Sequence, residues 1–306
     1  MRQIINEFTA NGIGYNAIAR IEMLSAREMP IDQLTVEFPQ GYYDIGTFVI
    51  GDSVEWIGGY RGEEETEFVG EITEIKSFYP LTIICKANML KLKKKLCKRN
   101  YSNVPIGDFF DDVLPSGINV SIDDNIQSDT ISCYCNDKTV LWGLKDLKTR
   151  YNIDSFFKKG DLVVQNSDLL EPTGDEVEYS TNSNVMDSEV RFMPEKSAKL
   201  TLKSFDPNEG KVNKTSLGDG EEEILITLDG IRLDKLADKI QSIFKNKTSA
   251  KLTGSFVAIA SPSAHHSEFI KYIDSNANLE GTAFVDRITK TFIASEAYFT
   301  QRIFLA

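Results

Sequence analysis

The chain has 306 residues, with 46 acidic and 34 basic side chains and a formal net charge of −12. Tight binding to duplex DNA depends mainly on basic groups that neutralise phosphate, so this charge argues against such binding over most of the surface. We find no secretory signal and no stretch of about 20 apolar residues that could cross a bilayer. We therefore expect a protein without a membrane anchor that stays in the cytoplasm until it is assembled into something larger.

The first 85 residues predict a small antiparallel β domain. Short runs of alternating or β-branched residues recur along this segment, separated by turn signals, as in small barrels and sandwiches. A turn or bulge at Gly51-Asp52 divides one of the runs. The predicted strands are 18–24, 34–38, 47–57, 68–75 and 81–85.

Residues 86–170 predict an α/β module. Apolar residues recur at helical spacing in 105–114, where Pro105 suits the first turn, and in 137–151, where Asp137 is a candidate N-cap. Strand-like pieces lie at 119–122, 130–134 and 161–164.

The segment 88–100 is either a helix or a basic connector. It contains six basic residues, which predict a solvated face or a contact with an acidic neighbour in preference to nucleic-acid binding. These residues are Lys91, Lys93, Lys94, Lys95, Lys98 and Arg99.

Strands return in residues 171–306, which predict a second β domain with an inserted helix at about 232–246. Residues 205–223 are rich in Asp, Asn, Gly and Glu, and predict a flexible loop or a hairpin tip. The fold class is therefore α+β and mainly β, with two β domains flanking an α/β module. The predicted strands of the last part are 188–192, 198–204, 222–228, 250–259, 281–288 and 299–305.

The two histidines offer little for metal binding. His265 and His266 are adjacent, and neighbouring side chains on an extended segment point apart. Glu268 is near, but a third ligand is not evident, so we predict no metal site. Cys133 and Cys135 have no second pair to complete a zinc site, and we expect them, with Cys85 and Cys97, to be reduced buried thiols.

No constellation for catalysis stands out. A Ser-His-Asp nucleophile motif, a P-loop and a G-x-G-x-x-G are all missing from the sequence. Carboxylates are abundant, but a catalytic pair needs one buried member, and the runs 111–112, 123–124 and 63–67 are predicted to be solvated. We therefore predict no enzymatic activity and no cofactor.

Three stretches carry a recognisable pattern. In 68–87 a G-x-I strand is followed by a second strand, and in 139–164 a helix is followed by short strands ending in G-x-L-x-V. In 252–305 a G-S-F strand, a Pro loop, a returning strand and a closing Q-x-I-x-L strand follow in order. This layout resembles the phage tail baseplate hub family, also called late control protein D, and the hub portion of type VI secretion spike proteins. Residues 265–269 depart from the family's G-D turn.

The resemblance implies a homotrimer in which each chain supplies two similar small antiparallel β-barrels, at 1–85 and 171–306. Three chains would make a pseudo-sixfold ring that joins a sixfold tail tube to a threefold spike. The implied partners are further copies of the chain, the tube and the spike. DNA or a tape-measure protein would pass through without tight binding, and the implied location is the virion tail.

An acidic inner wall would keep DNA from sticking, so we expect Glu63, Glu64, Glu65 and Glu67 to face the lumen. Two other interpretations stay open. A deep cleft with a buried carboxylate pair would favour a tail-associated cell-wall hydrolase. An exposed aromatic platform without self-association would favour a β-sandwich ligand-binding or adhesion module.

Overall fold

The computed structural model describes residues 3–27, 32–76, 79–158, 160–172, 174–206, 210–228 and 233–306. Within these ranges most regular structure is β, and the longer helices lie in the middle part and in one insert. The predicted mainly-β class is thus confirmed. None of the helices in these ranges is long and apolar enough to span a membrane.

The first β unit has the burial pattern of strands with one face against a core. In the strand from Gln33 to Phe38 every second side chain is buried, beginning with Leu34. The strands of this unit are β1 (Ile4–Ala10), β2 (Ile13–Tyr15), β3 (Arg20–Ala26), β4 (Gln33–Phe38), β5 (Ser53–Tyr60), β6 (Glu65–Lys76) and β7 (Leu81–Ala87).

One predicted strand is shorter than expected. The strand predicted over 47–57 starts only at Ser53, and Ile45–Thr47 form a 3-10 turn. Val49 and Ile50 are exposed, so their β-branched side chains have no sheet face to pack on. Gly51 makes the turn into β5 with a φ of 97°, a conformation that suits glycine.

The middle module contains both predicted helices. The N-cap of the second is Thr139, whose Oγ1 accepts a hydrogen bond from the Trp142 N–H at 3.2 Å, whereas Asp137 lies in a preceding turn with a φ of 58°. The elements are α1 (Met89–Lys94), β8 (Tyr101–Pro105), α2 (Ile106–Val113), β9 (Val120–Ile122), α3 (Asp124–Gln127), β10 (Thr130–Cys133), α4 (Val140–Tyr151), β11 (Asp154–Lys158) and β12 (Asp161–Gln165).

The last part of the chain holds the second β unit and an insert. Within the segment 205–223, residues 211–217 pair with 200–206 as an antiparallel hairpin, and residues 207–209 lie outside the described residues. The elements are β13 (Val177–Ser180), β14 (Val185–Ser188), β15 (Arg191–Met193), β16 (Ala198–Asp206), β17 (Lys211–Leu217), β18 (Glu222–Thr227), α5 (Leu233–Thr248), β19 (Lys251–Ile259), β20 (Phe269–Asp274), β21 (Leu279–Ile293) and β22 (Tyr298–Leu305).

The insert from β16 to α5 packs on the middle module. Leu200 and Leu236 belong to the same buried cluster as Phe109 of α2 and Leu144 of α4. An ion pair between Lys239 Nζ and Asp129 Oδ2, 2.5 Å long, crosses the same contact. The domain limits 1–85, 86–170 and 171–306 stay a prediction, and the hydrophobic cores show which parts of the chain pack together.

A single sheet runs through both β units. Its strand order is β14-β19-β22-β21-β3-β4-β7-β6-β5-β1-β2. The two units join where β21 pairs with β3, from Arg287 opposite Ala26 to Ile293 opposite Arg20. Among the described strands this sheet does not close on itself, because the second half of β21 pairs across to the other unit. The two closed barrels predicted from the sequence are therefore not confirmed.

The two β units have the same strand order. It is β3-β4-β7-β6-β5-β1 in the first unit and β14-β19-β22-β21-β20-β13 in the second. The meander β5-β6-β7 thus corresponds to β20-β21-β22, and β4 corresponds to β19. The last pair differs, since β1 is antiparallel to β5 but β13 is parallel to β20. The insert occupies the place of the short connection between β3 and β4.

Local irregularities repeat in the same way. A β-bulge lies between Ile72 and Glu74 of β6, and another lies between Val285 and Arg287 of β21. Bulges are specific features of a strand, so their shared position supports the correspondence.

The turns that precede the bulges also match. Ile72 exchanges two backbone hydrogen bonds with Gly51-Asp52, and Val285 exchanges two with Ser267-Glu268. The first residue of each turn has a positive φ, 97° and 63° respectively. The unusual backbone of Ser267 is therefore the second copy of a turn that carries glycine in the first.

Candidate functional site

A polar network lies across one side of the junction between the two β units. One half of it comes from residues 63–67, at the start of β6, and the other from the loop 260–266 of the second unit. Alternate residues of an extended segment point to the same side, so Glu63, Glu65 and Glu67 all face this loop.

The contacts alternate along both segments. Ser261 Oγ donates a hydrogen bond to the Glu63 carboxylate, and Ser263 Oγ donates to Glu67 Oε1 at 3.0 Å. His265 Nε2 lies 3.0 Å from Glu65 Oε1. Three carboxylates of the first unit are thus paired with one loop of the second.

The centre of the network is a buried ion pair between Glu67 and Lys290 of β21. Both side chains are 0% exposed, and the Lys290 ammonium contacts Glu67 Oε2 and lies 2.5 Å from Ser263 Oγ. A buried charge is tolerated when it is paired and hydrogen-bonded, and removing one partner leaves the other uncompensated. The network therefore holds β6 and β21 in place relative to each other and to the 260–266 loop.

Apolar packing covers the other side of the junction. The Phe299 ring of β22 contacts Trp56 of β5 edge-on, with centroids 5.8 Å apart, and the Tyr60 hydroxyl donates to the Phe299 carbonyl at 3.1 Å. Ala260 and Phe292 also belong to the core of the first unit. Side chains of the second unit thus enter the hydrophobic core of the first, in addition to the β3–β21 pairing, while the rest of the second unit packs around a separate core that includes Phe256 and Tyr272.

A small cavity of about 30 Å³ lies where both β units and the middle module meet. Asp32, His266 and Phe156 are among its lining residues. Burial raises the pKa of the Asp32 carboxyl to about 7. Burial, with smaller contributions from His265, Arg27 and Lys158, lowers the pKa of His266 to about 3, so its ring is neutral at pH 7. The ring packs against Phe156, with centroids 4.6 Å apart.

Three side chains of metal-ligand type converge in the network. Glu65, Glu67 and His265 each offer one ligand atom, and these atoms lie within 4.8 Å of one another. Such a set would suit a divalent cation such as Zn²⁺. Lys290 already neutralises Glu67, and His265 contacts Glu65 directly. We therefore describe the group as a hydrogen-bond network around one ion pair. The sequence analysis named Glu65 and Glu67 only as lumen candidates and did not bring them together with His265, because Glu65 is 200 positions away from it.

The four acids expected to face a lumen lie in different environments. The Glu67 side chain is enclosed within the chain, while Glu63 and Glu65 contact the 260–266 loop. Glu64 is exposed, and hydrogen bonds from its own backbone N–H and that of Gly62 hold its pKa below the usual range. The lumen assignment stays a prediction, and Glu64 is the member that points away from the network.

The remaining candidates have structural surroundings. All four cysteines are free and buried, as predicted, and burial raises the pKa of Cys85 and Cys97 to about 12. In the basic segment five of the six side chains are exposed. Lys94 Nζ lies 2.6 Å from Glu71 Oε1 of β6, and Arg99 Nε lies 2.9 Å from Asp112 Oδ2.

No protein-family model matches the sequence, and no curated protein matches it. The fold, in contrast, matches solved structures along nearly the whole chain. A tail protein from Neisseria meningitidis MC58 matches with a TM-score of 0.69 at 12% identity, covering 99% of this chain and 96% of that one. The 43 kDa tail protein of prophage MuSo2 from Shewanella oneidensis gives a TM-score of 0.65 at 14% identity, covering 98% and 97%.

A further match is the E. coli c3393 protein, a component of the type VI secretion system with structural similarity to the T4 bacteriophage tail proteins gp27 and gp5. Its TM-score is 0.61 at 10% identity, covering 97% of this chain and 76% of that one. The fold is therefore that of phage tail proteins and related type VI secretion proteins. The resemblance predicted from the sequence is confirmed at the level of the fold.

Proposed function

We propose that the protein is a structural subunit of a phage-like tail baseplate, a hub that joins the tail tube to the spike. One observation carries this proposal: the chain contains the same strand order twice, and the two copies are joined edge to edge by β3 and β21. The similarity of the fold to phage tail proteins over almost the full length supports it.

The duplication gives the proposed role a physical basis. Three chains contain six similar β units, so a closed ring of three chains has true threefold and approximate sixfold symmetry. Such a ring can present six comparable surfaces to a sixfold tube and three identical ones to a threefold spike. Each β unit acts as one barrel-like block of the ring, and the packing of Phe292 and Phe299 into the core of the first unit holds the two blocks of a chain together.

The proposed ring encloses a passage lined in part by acidic side chains. Glu63 and Glu64 are both exposed, and of the two Glu63 is held by Ser261 of the second unit, whereas the described hydrogen bonds to Glu64 come only from the local backbone, as from the Gly62 N–H. Carboxylates along the wall repel phosphate, so DNA passes through without tight binding. Replacing Glu64 with Lys should then raise retention of DNA by assembled particles, and unchanged retention would count against a lumen position.

The hub proposal is tested by the mass and shape of the assembled protein. We expect mass photometry and electron microscopy, over a range of concentrations and with the co-encoded tail proteins present, to reveal rings of three 34.4 kDa chains with six lobes. Only monomers or twofold dimers under all these conditions would overturn the proposal.

A further inference from the structure

The junction inside one chain also indicates how neighbouring chains join, an inference that rests on the ring proposed above. Inside the chain, the second half of β21 extends beyond its pairing with β20 and pairs with β3 of the first unit, while it stays paired with β22 of its own. In the repeated strand order, β6 corresponds to β21, and the segment β14–β15 corresponds to β3. The equivalent contact would therefore join β6 of one copy to β14–β15 of the next.

Both of these edges are open in the part of the chain that the structure describes. Strand β5 pairs with β6 only up to Ser53 opposite Glu71, and no described strand pairs with that side of Glu74–Lys76. Strand β15 pairs with β19 on one side, and its other side has no described strand. Unpaired edges are places where another chain can add hydrogen bonds.

The correspondence fixes a register. Superposing the two bulges makes Glu74–Lys76 equivalent to Arg287–Thr289. The same superposition makes Leu34 equivalent to Gly254, because their partners Cys85 and Leu305 lie opposite the residues before the bulges.

The next pair of residues along these strands shows which part of β15 corresponds to β3. Gln33 is paired with Leu24, and Thr253 is paired with Arg191, so Arg191–Met193 is equivalent to Leu24–Ala26.

We propose that β6 and β15 of neighbouring copies form an antiparallel ladder with Ile75 opposite Phe192. This pairing reproduces Ile288 opposite Ser25 in the internal junction. It also sets Glu74 opposite Met193.

The exposed apolar side chains of the monomer support this contact. Phe192 is 57% exposed and Met193 is 40% exposed, although they lie on a strand of the sheet. Tyr79 is 75% exposed and follows Lys76 by three positions, as Phe292 follows Thr289. At the equivalent internal positions Ser25, Ile288 and Phe292 are all buried. A second copy of the chain would cover Phe192, Met193 and Tyr79 in the same way.

Two differences make the contact between copies weaker than the internal one. Arg27 donates its backbone N–H to the Asp286 carbonyl at 2.9 Å, but its counterpart is Pro194, which has no N–H to donate. In this register Lys76 also lies opposite Arg191, so two like charges face each other. The Glu74 carboxylate lies diagonally across from Arg191. A ring that assembles from chains stable on their own requires contacts between copies that are weaker than the junction inside each chain.

Disulfide trapping tests the register. In a chain carrying Ile75→Cys and Phe192→Cys, the new thiols face each other only between copies, at the 4.5–5.5 Å Cβ spacing of a cross-strand pair. On mild oxidation we expect head-to-tail covalent species that end at three times 34.4 kDa on non-reducing gels. The parent chain is a control for background, because its four cysteines are buried.

Two further pairs sharpen the test. The matched negative control is Tyr42→Cys with Phe192→Cys, because Tyr42 is also highly exposed but belongs to the turn between β4 and β5 and to neither edge strand. The positive control is Ser25→Cys with Ile288→Cys, the equivalent pair inside the chain, which should close within a monomer.

Each outcome separates this inference from the ring itself. Selective trapping of the Ile75/Phe192 pair up to the trimer supports both. A ring of three copies in which this pair is trapped no better than the Tyr42 control overturns the proposed contact and leaves the ring standing. A chain that never associates, by trapping or by mass photometry with its tail partners, overturns both.

Discussion

The Lys290–Glu67 pair is the residue-scale feature on which the junction depends most. Its two charges are fully buried, so each depends on the other and on Ser263. Replacing Lys290 with Met should lower the free energy of unfolding by about 3–5 kcal/mol, because the buried Glu67 carboxylate then has no opposite charge beside it. Urea unfolding followed by circular dichroism measures the loss.

Two variants serve as controls for this prediction. Lys290→Met combined with Glu67→Leu should recover most of the stability, since no charge then remains buried. Lys245→Met removes an exposed ion pair with Glu171, Nζ–Oε1 3.2 Å, and should cost less than about 1 kcal/mol. Equal losses for the two single lysine variants would show that the buried pair has no special weight.

Asp32 and His266 should give opposite dependences of stability on pH. Burial raises the pKa of Asp32 from 3.8 to about 7, so the folded protein retains a proton that the unfolded chain has released. Its contribution to stability is present below pH 4 and is lost as the pH rises to 7. Asp32→Asn should therefore stabilise the protein at pH 8 and leave it nearly unchanged at pH 4. A stability difference independent of pH between variant and parent would contradict the raised pKa.

For His266 the sign is reversed. Burial lowers its pKa from 6.5 to about 3, so the unfolded chain takes up a proton first as the pH falls. Stability from the neutral ring is present above pH 6.5 and is lost between pH 6.5 and pH 3. His266→Gln should make unfolding less sensitive to acid over this range than in the parent, as measured by urea midpoints at pH 4 and pH 7. A variant with the parent's acid sensitivity would show that His266 is not the responsible group.

At the scale of elements, Gly254 of β19 holds a position that no other residue fits well. Its φ is +113°, and a Cβ there would lie 2.3 Å from the Glu189 carbonyl oxygen. Gly254→Ala should cost more than about 1 kcal/mol, because both the backbone and the neighbouring segment must shift. Gly14 of β2 has open space around its Cα and no positive φ, so Gly14→Ala should have little effect. Thermal unfolding compares the two, and equal effects would contradict the prediction.

Local sequence patterns predicted individual helices and strands well, but they predicted poorly which strands pair with each other. Helices α2 and α4 and strand β4 follow apolar periodicity closely, since each buries one continuous face. Val49 and Ile50 have the composition of a strand, but they are exposed and pair with no described strand, so composition alone gave a wrong prediction there. The pairing of β21 with β3 and the contact of His265 with Glu65 join residues more than 190 positions apart, and no local pattern encodes them.

For the molecule as a whole, the side chains of the second unit that lie in the core of the first predict that the two β units lose structure together. Phe299→Ala should cost about 3–5 kcal/mol by leaving a cavity against Trp56. Hydrogen exchange should then speed up in β5 and β6 of the first unit as well as in β19 and β22, with α4 unaffected. Faster exchange confined to β22 and β19 would show that the units open separately.

The middle module supplies the reciprocal control. Phe110 is fully buried in the core that contains α4 and the insert. Phe110→Ala should speed exchange in α2, α4 and α5 and leave β5 protected. Exchange that spreads equally to β5 would indicate one cooperative unit for the entire chain.

The insert from β16 to α5 fills one of two equivalent connections, while the other, between β3 and β4, stays short. Six identical chains would have to carry such an extension six times around their axis. Fusing two copies of the β unit into one polypeptide removes that constraint, because each half can be mutated alone. An assembly of three such chains would display the extension at every other position, leaving alternate gaps for proteins of a different kind.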